Sequence, residues 1–132
     1  MIEFKSLIKI NENYVDINDF TLSHQIKSLD WDYDVQGKII IFYYGKEIFG
    51  SEIVDDINWF WGFIADGFND FFEKGVYDIG FPSQDIRFVL VKIKKNIISL
   101  EITSENMVYL KKEFDLIDFL MVLLIILFLK KI

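Results

Sequence analysis

A chain of 132 residues is long enough to bury one hydrophobic core and too short for two, so residues 1–132 are expected to form a single domain. A hydrophobic fraction of 52% with one proline excludes a disordered chain, and the absence of cysteine excludes disulfides, thiolate nucleophiles and the common structural zinc sites. The net charge of −7 is unevenly placed: residues 1–85 carry 6 Lys/Arg against 16 Asp/Glu, a net of −10, whereas residues 86–132 carry 8 against 5, a net of +3. Such a field repels phosphate backbones and attracts basic surfaces, which argues for a cationic protein ligand and against nucleic acid.

Met1-Ile2-Glu3-Phe4-Lys5 lacks the basic start and apolar stretch of a secretory signal, and cytoplasmic placement is expected. Ile2, Phe4, Ile8 and Ile10 alternate with Glu3, Lys5 and Lys9, the period of a half-buried strand, and Asn11-Glu12-Asn13 reads as a turn into a second strand over 14–17. Residues 20–29 fit a loop or a short helix. Asp30-Trp31-Asp32-Tyr33-Asp34-Val35 alternates strictly, as a strand with an acidic outer face. Gln36-Gly37 turns it into 38–44, whose Ile39-Ile40-Ile41-Phe42-Tyr43 run is apolar on both faces and predicts a central strand. Gly45-Lys46 leads to a short strand over 47–49, and Ser51 is placed to cap a helix over 51–73. Its apolar stripe comprises Ile53, Ile57, Phe60, Trp61, Ile64, Phe68, Phe71 and Phe72, and Gly75 supplies the stop. After the turn Phe81-Pro82-Ser83-Gln84 come strands over 86–94 and 97–103 joined by Lys95-Asn96, a further strand over 107–112 and a second helix over 115–131.

The predicted class is α+β: antiparallel sheet with two helices, in the order strands, helix, strands, helix. This order of elements looks like the Whirly-type fold, in which a four-strand-plus-helix unit occurs twice; the likeness is one of topology and brings no nucleic-acid binding with it. Within the second helix, Phe119 to Leu129 is a run of eleven apolar residues. As a helix it extends roughly 16 Å, about half of a ~30 Å hydrocarbon layer, so a helix buried in the domain or closing a homodimer is expected rather than a membrane anchor.

Signals for chemistry are sparse. The one histidine, His24, has no cysteine to pair with and no nucleophile-elbow pattern near it, and no glycine-rich phosphate loop occurs. Asp30, Asp32 and Asp34 have the spacing that opens a calcium loop, yet Val35 stands where that loop needs glycine and Ile41 where it needs glutamate. Neither enzyme activity, metal nor cofactor is expected; a small enzyme centred on His24 and a self-associating structural protein are the alternatives.

The first long helix holds the informative anomaly. At about 100° per residue Trp59 falls nearly opposite the apolar stripe and Phe63 on its flank, among Asp55, Asp66 and Asp70. An aromatic anchor surrounded by carboxylates suits recognition of a basic protein surface, the rings supplying desolvated area and the acids steering. The competing arrangement is that the second helix covers Trp59. An acidic aromatic helix, the Phe81-Pro82-Ser83-Gln84 turn, a hairpin and a closing apolar helix together resemble, over residues 50–132, the small immunity proteins of bacterial toxin systems, including contact-dependent inhibition. The resemblance implies a cytoplasmic inhibitor that covers the active site or substrate surface of a cognate basic, nuclease-type toxin domain. Its expected contact surface is Trp59, Phe63, Asp55, Asp66 and Asp70, joined by Asp30, Asp32 and Asp34.

Overall fold

A computed structural model describes residues 1–29 and 35–121. The expected acidic strand with Asp30, Asp32 and Asp34, and most of the apolar C-terminal run, lie outside the described residues. The first half of the chain builds an antiparallel sheet from β1 (Ile2–Ile10), β2 (Asn13–Asp16), β3 (Gln36–Tyr43), β4 (Lys46–Phe49) and β5 (Asp55–Asp56). Its order is β2-β1-β3-β4, with β5 also on β3. The second half builds a four-stranded meander from β6 (Val76–Gly80), β7 (Ile86–Lys94), β8 (Ile97–Ser104) and β9 (Met107–Asp115). Between the sheets in sequence runs α2 (Ile57–Lys74), and a five-residue α1 (Ser23–Lys27) follows a 3-10 turn at Phe20–Leu22. A further helix begins at residue 116. The α+β class holds, but there are four helical segments among the described residues where two were expected, because 20–27 coils into short helical turns between β2 and β3.

Two-residue turns fix the register of the first sheet. Asn11 and Glu12 have φ of 49° and 72° between the paired Ile10 and Asn13, and Tyr44 and Gly45 have φ of 50° and 78° between Tyr43 and Lys46. Two successive positive φ values give a turn whose twist matches that of the strands it joins. On β1 the alternation is as read, with Ile2, Phe4 and Ile8 buried, but Ser6 shares that face at 5% exposure. Its hydroxyl accepts a 2.9 Å hydrogen bond from Trp61 Nε1, which attaches α2 to the first sheet. β3 is central as expected, and Ile39, Ile40 and Ile41 are all buried.

The sheets share one core. Phe60 of α2 meets Phe88 of β7 and Phe81, while its neighbour Trp61 meets Phe4 of β1. Phe49 of β4 contacts Tyr109 of β9, and Tyr43 of β3 contacts Phe114. Ile98, Leu100 and Ile102 of β8 are fully buried, as their alternation required. Phe119 is 1% exposed against Phe4 and Phe114, so the last helix starts docked on the core, while Ile117 and Met121 point outward. Among the described residues no helix is long and apolar enough to cross a membrane.

The long helix begins six residues later than its composition suggests. Gly50 has φ of 118°, and a Cβ there would collide with the Ile39 carbonyl, so the chain turns sharply as it leaves β4. It then returns to the same edge of β3, where Asp55 and Asp56 pair with Gly37 and Gln36. The helix starts only at Ile57, whose N–H donates to Val35 O, while the Val35 N–H donates to Asn58 Oδ1. Sheet pairing thus takes residues that an isolated helix would have kept, and neither Ser51 nor Ile53 is helical. The C-terminus is as read: Gly75 is left-handed, with φ of 75°, and its N–H donates to Phe71 O. Phe72, placed on the apolar stripe from sequence, is instead 58% exposed.

Candidate functional site

Helical geometry separates the two faces of α2. Ile57, Phe60, Trp61, Ile64 and Phe71 are buried, whereas Trp59 and Phe63 are 45% and 39% exposed. Trp59, Phe63, Asp66 and Asp70 are spaced i, i+4, i+7 and i+11, which at 3.6 residues per turn confines them to a strip about 60° wide. Both aspartates are solvent-exposed. Four of the expected contact residues therefore lie in line on one solvent face, and among the described residues no helix buries Trp59.

Phe63, Asp66 and Asp70 of this strip, without Trp59, form one wall of a shallow, open groove of about 530 Å³. Phe63, Asp66, Gly67 and Asp70 line it from α2; Tyr77, Ile79, Gly80, Phe81 and Pro82 line it from β6 and the turn after it. Gly67 makes this close approach feasible. A Cβ at Gly67 would fall on the Tyr77 ring, so only glycine lets strand and helix come this near. The Tyr77 hydroxyl donates to the Phe63 carbonyl and lies within electrostatic reach of both aspartates. Burial, then the negative charge of Asp66, and last that of Asp70 push the Tyr77 phenol up from 10.0 to about 12, although a backbone hydrogen bond at Gly67 pulls the other way. At neutral pH Tyr77 is a neutral, fixed wall. Neither Asp66 nor Asp70 has an ion-pair partner among the described residues, in contrast to Asp78, which is 2.6 Å from Arg87.

Asp55 belongs elsewhere. It was expected on the exposed acidic face of a helix, but it lies on β5 at 6% exposure. Its carboxylate accepts from the Ser83 N–H at 3.0 Å, from Gln84 Nε2 at 3.2 Å and from the Asp56 N–H at 2.7 Å. Asp56 accepts from the Ser83 hydroxyl at 2.5 Å, and Gln84 also donates to Val54 O at 2.6 Å. These bonds tie the start of α2 to the 81–85 turn of the second sheet, and they leave Asp55 no carboxylate face toward solvent. Asp30, Asp32 and Asp34 lie outside the described residues.

Sequence reasoning missed Tyr77, Gly67 and the strand β6. Val76-Tyr77-Asp78-Ile79-Gly80 does alternate, and its inward-facing Tyr77 and Ile79 were a usable signal. His24 lies exposed on α1, and among the described residues no three His, Asp or Glu side chains gather as a metal site would need. No family model, curated protein or solved structure matches this chain.

Proposed function

We propose that the chain is a protein-binding inhibitor of the immunity type, which uses the outer face of α2 to cover a basic surface on a cognate toxin domain. The observation that carries this reading is the alignment of two exposed aromatics, Trp59 and Phe63, with two uncompensated carboxylates, Asp66 and Asp70, on one helical face. Exposed large aromatics supply most of the binding energy of protein interfaces, while surrounding charges raise the association rate and select the sign of the partner. The net charge of −10 over residues 1–85 adds long-range attraction for a cationic partner. Carboxylates on this face would then occupy the space that substrate phosphates take on a nuclease.

The test is co-expression with candidate basic, nuclease-type toxin domains, followed by calorimetry of the purified chain with any whose toxicity it suppresses. Trp59→Ala combined with Asp66→Lys should weaken binding by about a hundredfold or more and abolish protection of growth, without a change in the thermal unfolding midpoint. An affinity equal to that of the parent protein would discard this surface.

A further inference from the structure

Asp66 and Asp70 stand one helical turn apart, about 5–6 Å between Cβ atoms. Like charges at this spacing oppose helix formation, and neither aspartate forms an ion pair among the described residues. The same groove is lined by the aromatic residues Phe63 and Tyr77 and by the apolar Ile79 and Phe81.

The strand adds a third polar element. Gly75 O accepts from the Lys92 N–H, and the Phe81 N–H donates to Ile86 O. These two pairs share the register of β6 against β7, in which Tyr77 opposes Leu90 and Ile79 opposes Phe88. Backbone groups of an antiparallel strand point alternately to its two sides. The odd-numbered residues therefore bond to β7, and the N–H and C=O of Val76, Asp78 and Gly80 point to the free edge of the sheet. Gly80 also lines the groove, which brings this edge and its unpaired backbone groups up to it.

We infer that this groove receives an arginine side chain of the protein partner; the inference rests on the protein-binding reading above and specifies its contact chemistry. A guanidinium is planar and carries five N–H donors in a fixed fork, with faces that stack on aromatic rings. Two carboxylates and a backbone carbonyl provide acceptors for that fork, and Phe63 and Tyr77 provide ring surface for its faces. An ammonium, compact and strongly hydrated, uses the ring walls less well. A second copy of this chain is a poor occupant, because it would bring the same negative face against itself. The groove holds one long side chain with several waters, each taking about 30 Å³.

The experiment titrates N-acetyl-arginine amide into the isotope-labelled full chain at neutral pH and follows the backbone amide resonances. Saturable shifts are expected at Gly67, Asp70 and Gly80, weaker binding by N-acetyl-lysine amide, and none by N-acetyl-citrulline amide, which has the shape of arginine without its charge. Asp66→Asn with Asp70→Asn should lower the arginine affinity roughly tenfold or more, with an unchanged unfolding midpoint showing that the fold is intact. No saturable shift at the groove, or equal shifts with citrulline, would overturn the inference. If toxin binding falls on Trp59→Ala while arginine amide never enters the groove, the inference fails and the protein-binding reading stands. If arginine amide binds but Trp59→Ala with Asp66→Lys leaves toxin affinity unchanged, the groove takes a guanidinium but does not contact that partner, and the proposed surface and the inference fail together.

Discussion

Two pairs of aspartates on one stretch of chain meet opposite fates. Asp55 and Asp56 precede α2 and point across to the second sheet, where the turn at Ser83 and Gln84 supplies donors for both. Asp66 and Asp70, about three turns further on, face a groove in which the described protein supplies no cation. The residue type is the same, and what differs is whether the opposite wall donates or accepts. The 81–85 turn offers a main-chain N–H, a hydroxyl and an amide. The β6 edge offers a carbonyl and a phenol whose proton is already committed to Phe63 O. The first pair is therefore part of the fold's hydrogen bonding, and the second is left with charge to offer a partner.

That contrast can be broken in three places. The largest effect is expected at Asp55. Asp55→Ala removes a charged acceptor and leaves the Ser83 N–H without its partner, which should cost about 2–3 kcal/mol of stability in urea unfolding. A loss within error of zero would show that this acid is as dispensable as those on the surface. Next comes Tyr77, the link between helix and strand: Tyr77→Phe should cost about 1 kcal/mol through the lost hydrogen bond.

The same phenol gives the alkaline limb a sign. Its folded value, about 12, lies above the ordinary 10.0, so the folded chain holds this proton more tightly. The stability contributed by Tyr77 is then complete below pH 10 and is lost as the pH rises through about 12. Asp66→Asn should move the phenolate absorbance midpoint of Tyr77 downward, because a negative neighbour that opposes ionisation is removed. The smallest effect is expected from the groove acids on stability itself: Asp66→Asn and Asp70→Asn should each stay within about 0.5 kcal/mol of the parent, as exposed substitutions do. A large loss at either would place it with Asp55 as a structural residue.

Much of this fold was legible in the chain because hydrophobic period reports burial directly. β1, β3, β7, β8 and the C-terminal stop of α2 at Gly75 all follow from alternation, turn residues and a glycine that can take positive φ. The aromatic–acidic strip was legible for the same reason, since 3.6-residue geometry assigns Trp59, Phe63, Asp66 and Asp70 to one side whatever they face. The start of α2 was not. Ser51 and the acids after it resemble a helix cap, yet pairing of Asp55 and Asp56 with β3 supplies backbone bonds that a local pattern cannot anticipate. β6 was overlooked because five residues between a helix stop and a proline turn make a short signal, and its neighbour β7 lies beyond that turn.

Local patterning thus determined by itself the α+β class, the buried faces of most strands and the solvent face of the long helix, because these depend on residues a few positions apart. Tertiary structure alone decided that Asp55 is a buried tie between the sheets, that Trp61 reaches Ser6, and that Gly67 and Tyr77 shape the groove beneath Asp66 and Asp70. Those outcomes depend on which donor or ring stands opposite across the fold, and that is set by packing between segments distant in the chain.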